Sequence, residues 1–111
     1  SLYAAAVAVS GALESGATHC PAAHGKRILA IHGADDLNVP VAGGRGKGLA
    51  RVDFASQANT AKVWQDSGAL YDLRIVTGAD HSVQSISRQL LRAESQNLAQ
   101  TMARFFDLLE R

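Results

Sequence analysis

Two short stretches carry the residues whose types could do acid–base chemistry. The first is His32-Gly33-Ala34-Asp35-Asp36-Leu37-Asn38-Val39-Pro40, the second Gly78-Ala79-Asp80-His81-Ser82. A histidine can take a proton from a hydroxyl nucleophile and return one to a leaving group. A carboxylate bonded to its other ring nitrogen fixes the tautomer and stabilises the cationic ring. Asp35, Asp36 and Asp80 are the available acids, and His32 and His81 the bases. His32 stands just before a glycine turn, where a structural role is the expected one.

Three other groupings have simpler roles. Gly43, Gly44, Gly46 and Gly48, with Arg45 and Lys47 between them, invite a phosphate-binding reading. Neither GxxxxGK[ST] nor GxGxxG spacing is met, and the stretch does not run from a strand directly into a helix. It reads as a glycine-rich loop bordering the site. His19, Cys20 and His24 could begin a zinc site, but structural zinc takes four protein ligands and no fourth stands nearby in the sequence. No metal and no cofactor is expected. Met102, Phe105 and Phe106 read as core packing.

The elements that must position these residues follow from apolar patterning. Tyr3 to Ser10 (YAAAVAVS) is short, apolar throughout and followed by Gly11, which predicts a fully buried strand of a parallel sheet. Arg27 to His32 (RILAIH) predicts a second buried strand. Tyr71 to Thr77 (YDLRIVT) predicts a third, with Leu73, Ile75 and Tyr71 on one side. Between the second and third strands come a glycine-rich loop, Val41 to Ala50, and a helix from about Ser56 to Ser67. Ala58, Ala61, Val63 and Trp64 would form the inner side of that helix and Gly68 would stop it. A short helix is expected over Val83 to Arg92. Leu98, Met102, Phe105 and Leu109 then fall at steps of four, three and four, one stripe of a final helix. The order predicts an α/β fold of about three parallel strands with flanking helices. In such sheets, functional groups gather at the carboxyl ends of the strands, where both stretches lie.

Bulk composition narrows the field. At 111 residues the chain is one domain at most. A formal charge of +1 builds no field of one sign, and scattered aromatics offer no stacking platform, so nucleic acid is not an expected partner. The apolar run near the start lacks a basic flank and is too short to span a bilayer, so no membrane association is expected. The single cysteine, Cys20, allows no internal disulfide. Localisation stays open.

IHGADDLNVPVAGG resembles the catalytic-acid segment of α/β-hydrolases, in which HG is followed by two residues, Asp, two residues and Val-Pro. On that pattern the acid is Asp36 rather than Asp35. GADHSV resembles the segment that delivers the family's catalytic histidine, here His81. AGGRGKGLARVDFASQANTAKVW and AAAVAVSGAL more narrowly resemble polyhydroxybutyrate depolymerases and feruloyl-esterase-like hydrolases. The resemblance covers essentially the whole chain. It implies a partial α/β-hydrolase fold, an ester substrate and acyl transfer, and it is compatible with an extracytoplasmic location. His81 would act as the general base and Asp36 would orient it. Asp80 is a poor substitute, because neighbouring residues on an extended chain point in opposite directions.

One departure from the family is large. The nucleophile elbow needs Gly-x-Ser-x-Gly, and no serine here has glycines two residues away on both sides. The resemblance therefore implies that residues 1–111 are the C-terminal portion of a serine esterase, inactive alone, with nucleophile and oxyanion hole in an N-terminal half. A strand 3–10 left without its neighbour would associate through its free edge, either with a second copy or with that N-terminal half. The alternative is a non-catalytic, hydrolase-derived domain serving self-association or binding. A phosphate-binding module comes last, since the glycine spacing fails.

Overall fold

The computed structural model describes residues 5–20, 23–47 and 52–109. Three strands make one parallel sheet: β1 (Ala5–Val9), β2 (Arg27–Gly33) and β5 (Leu70–Val76), in the order β1-β2-β5. A two-residue antiparallel pair, β3 (Gly44–Arg45) with β4 (Asp53–Phe54), stands apart from it. The helices are α1 (Gln57–Asp66), α2 (Val83–Glu94) and α3 (Leu98–Leu109). The chain is thus an α/β domain with a three-stranded parallel sheet and three helices.

β2 lies in the centre because it is apolar on both faces. Six of its seven residues are buried, all but Arg27. Leu29 and Ile31 face one way and pack with Val76, Ile86, Leu90 and Leu98, the side covered by α2 and α3. Ile28 faces the other way and meets Val63, Ala69 and Cys20, the side covered by α1. Trp64 and Tyr71 stack there with ring centroids 6.0 Å apart. The apolar stripe of α3 holds at Leu98, Met102 and Phe105, which pack on the first of these cores. The side chain of Leu109 lies outside the described residues.

Three expectations are corrected. β1 is not fully buried: Val7 and Val9 are half-buried against the α2–α3 core, whereas Ala6 and Ala8 are exposed. The reason is coverage, since α1 packs over β2 and β5 and no described element lies over Ala6 and Ala8. Tyr3 and Ala4 of the expected strand lie outside the described residues. The inner face of α1 is Gln57, Thr60, Ala61 and Val63, and Ala58 is exposed. Two of those four side chains are polar, and both reach the segment after β1. Gln57 Nε2 donates to the Gly11 carbonyl at 2.9 Å, and the Leu13 amide donates to Thr60 Oγ1 at 3.2 Å. Lastly, the loop from Val41 is not wholly irregular, because Gly44 and Arg45 pair with Phe54 and Asp53.

The ends of α1 follow local rules. Ser56 caps it, its Oγ accepting from the Asn59 amide at 3.0 Å. At the other end the Gly68 amide donates to Gln65 and the Ala69 amide to Trp64, a Schellman closure. That closure puts Gly68 at φ +97°, which glycine adopts without strain.

Candidate functional site

The acid turn is held to the histidine loop by backbone first. Beyond β2, the Ala34 amide donates to Val76 at 2.9 Å and the Asp35 amide to Ala79 at 2.9 Å. The two chain segments approach so closely that a Cβ on Gly33 would collide with the Asp80 and Ala79 carbonyls. Glycine in the HG pair is therefore a steric requirement. Gly46 serves the same purpose on the far side, where a Cβ would collide with the Asn38 carbonyl, and the Lys47 amide donates to Leu37 at 2.9 Å. The described part of the glycine-rich loop thus braces the acid turn with backbone. Gly48 lies outside the described residues.

The two acids in this turn part company. Asp35 is exposed, while the Asp36 side chain is wholly buried. Asp36 Oδ1 accepts from the amides of Asn38 and Val39, both at 2.8 Å. Asp36 Oδ2 lies 2.8 Å from His81 Nδ1 and 3.3 Å from His32 Nε2. The structure brings Asp36 and His81 together and leaves Asp35 and Asp80 out of the pair.

His81 reaches Asp36 from a loop clamped on three sides. Asp80 turns away to accept from the Ser82 amide at 2.8 Å and Ser85 Oγ at 2.7 Å. These bonds, the Ser82 amide first, draw its carboxyl down from 3.8 to about 2. Ser82 caps α2 by accepting from the Ser85 amide at 3.1 Å. Ser10, just past β1, donates its Oγ to the His81 carbonyl at 3.0 Å from a left-handed backbone at φ 60°. A serine at positive φ carries strain of order 1 kcal/mol or more, so this geometry is imposed by its surroundings. Sequence patterning gave no sign of Ser10, because only the fold shows which loop lies beside the end of β1.

The protonation pattern can be read from partners. Asp36 accepts, so His81 Nδ1 carries the proton and Nε2 keeps its lone pair. The His81 side chain is 43% exposed, which leaves that lone pair on a ring solvent can reach. His32 is 1% exposed, and its Nε2 lies 2.7 Å from the Val39 carbonyl. A carbonyl only accepts, so Nε2 of His32 bears a proton. This nitrogen cannot offer a lone pair to a metal, although two histidines and a carboxylate stand together here.

The remaining candidates lie elsewhere. His19 and His24 are exposed while Cys20 is buried, and burial pushes the Cys20 thiol up, away from the reactive thiolate. Among the described residues no three His, Cys, Asp or Glu side chains form a group suited to a metal ion. Tyr71 is pushed up to about 12, by burial first and by Cys20 second, so it is no proton shuttle near neutrality. A cleft of about 920 Å³ runs from the starts of β2 and β5 past Arg74 to Phe105 of α3. No residue of the acid turn or the histidine loop lines it. No helix among the described residues is long and apolar enough to cross a membrane. Comparison with family models, curated proteins and solved structures returns no match.

Proposed function

We propose that this chain supplies the acid and the histidine of a serine carboxylic-ester hydrolase, and that its sheet is the C-terminal part of an α/β-hydrolase sheet. The observation that carries the reading is the 2.8 Å contact between His81 Nδ1 and the buried Asp36 carboxylate, at the ends of neighbouring parallel strands. That contact leaves Nε2 as the proton acceptor, as general-base removal of a hydroxyl proton requires. Asp36 then stabilises the imidazolium as it forms, and His81 returns the proton to the leaving alcohol. The serine comes from outside the described residues. The likeness of AGGRGKGLARVDFASQANTAKVW and AAAVAVSGAL to polyhydroxybutyrate depolymerases and feruloyl-esterase-like hydrolases favours a polyester or feruloyl ester as substrate. The edge of β1 that pairs with no strand among the described residues is the proposed contact with the nucleophile-bearing half or with a second copy.

A fluorophosphonate probe tests the reading. Applied to the protein produced from the whole reading frame that contains these residues, it should acylate one serine. His81→Ala should slow that labelling by at least about 10³-fold, while residues 1–111 alone should stay unlabelled. Labelling that ignores His81, or no labelled serine in the folded protein, contradicts the assignment.

A further inference from the structure

His32 sits outside the two-residue pairing just described, yet it touches the same carboxylate oxygen. Its ring is buried on β2, the central strand, with Ile75 of β5 as its register partner. Nε2–H donates to the Val39 carbonyl at 2.7 Å, and Nε2 lies 3.3 Å from Asp36 Oδ2. The Val39 amide in turn donates to Asp36 Oδ1 at 2.8 Å. Two hydrogen bonds through the Val39 peptide thus link the carboxylate to the His32 ring, and the approach of Nε2 to Oδ2 closes the circuit.

The circuit has a mechanical meaning. Asp36 lies on a turn, and the two amides that hold Oδ1 belong to that same turn, so they fix the carboxylate only relative to the loop. His32 lies on a strand paired on both sides. The Ala34–Val76 backbone bond ties the start of the turn to the sheet, and His32 ties its Val39 end, next to Oδ2. Oδ2 is also the oxygen that His81 faces. A shift in Oδ2 would release Nδ1 of His81 to the other tautomer, in which the outward nitrogen carries the proton and cannot accept another.

We infer that His32 is a positioning residue. By donating from Nε2 to the Val39 carbonyl of the turn that carries Asp36, and by standing 3.3 Å from Oδ2, it holds His81 in the Nδ1–H form. The inference rests on the proposed acid–histidine pair and adds a third member to it. His32 neither meets substrate nor exchanges a proton during turnover.

Long-range ¹H–¹⁵N spectra of the imidazoles of this chain near neutral pH test the inference. If wild-type His81 is not the Nδ1–H tautomer, the acid–histidine reading itself fails, whatever His32 does. If His81 is Nδ1–H, the wild-type spectrum of His32 decides next. We expect Nε2–H, whereas an unprotonated Nε2 removes the donor and overturns the inference without any variant. His32→Met keeps bulk but has no donor, and should lower the Nδ1–H to Nε2–H ratio of His81 by about fivefold, as the net loss of one buried hydrogen bond would. His32→Gln restores an N–H at similar reach and should return the ratio toward wild type. An unchanged ratio in a folded His32→Met variant overturns the proposal. Should that variant fail to fold, the wild-type tautomer of His32 remains the deciding result.

Discussion

Asp36 and Gln57 both bury acceptor oxygens, and the fold treats them in opposite ways. The Asp36 carboxylate accepts from three N–H groups, two from its own turn and one from His81, with His32 Nε2 at 3.3 Å. Gln57 Oε1, at the start of α1, is buried and meets no donor among the described residues, although Nε2 of the same side chain is satisfied by Gly11. A buried unpaired acceptor costs about 1–3 kcal/mol, whereas a paired one contributes a net 1 kcal/mol or so. The difference separates two parts of the molecule. The carboxyl ends of β2 and β5 form a closed network that fixes one geometry. The junction of α1 with the segment after β1 packs less completely, beside the strand whose alanines are exposed.

If this contrast is right, substitutions should rank accordingly. Asp36→Ala strips the acceptor from three donors and should cost about 3–5 kcal/mol in urea unfolding, as breaking a buried polar pair does. A loss under 1 kcal/mol would mean that the network contributes little. Gly33→Ala forces a methyl group against the Asp80 and Ala79 carbonyls. We expect a loss of about 1–3 kcal/mol, with amide shift changes concentrated at residues 79–82. Changes spread evenly through the chain would contradict the proposed stitching of the two loops.

Asp80 should act locally and only in acid. Its carboxyl is drawn down from 3.8 to about 2, so the ionised form contributes order that is complete above the unfolded value and vanishes as pH falls through the folded one. Protection of the Ser82 and Ser85 amides, taken relative to intrinsic exchange at each pH, should therefore fall between pH 4 and pH 2, and Asp80→Asn should remove that fall. The smallest effect belongs to Gln57→Leu. It removes one good hydrogen bond and one stranded acceptor together, so stability should change by less than about 1 kcal/mol. A loss as large as that of Asp36→Ala would erase the contrast between the two regions.

How much of this was legible in the sequence depended on whether neighbours or pattern decided the outcome. β2 and α3 were plain, because RILAIH is apolar on both faces and Leu98, Met102 and Phe105 keep a helical period. Asp36 and His81 were marked by motif spacing. The exposure of Ala6 and Ala8 was not, since the same apolar run suits a covered or an uncovered strand, and only the placement of α1 distinguishes them. The polar inner face of α1 was hidden for a related reason. Gln57 and Thr60 are buried because backbone groups at Gly11 and Leu13 need partners, and a search for apolar stripes passes over such residues. The left-handed Ser10 and the close approach of Gly46 to Asn38 arise between distant segments, beyond the reach of local patterning.

The account stands on the side of its ring that His81 turns toward the buried acid. Nitrogen-detected spectroscopy of ¹⁵N-histidine-labelled chain at neutral pH reads this directly. It should find the proton of His81 on Nδ1, with a resolved coupling or cross-relaxation partner in the Asp36 turn and a bare Nε2. A His81 ring protonated on Nε2, as free imidazole side chains prefer, with no contact to residues 36–39, would contradict it.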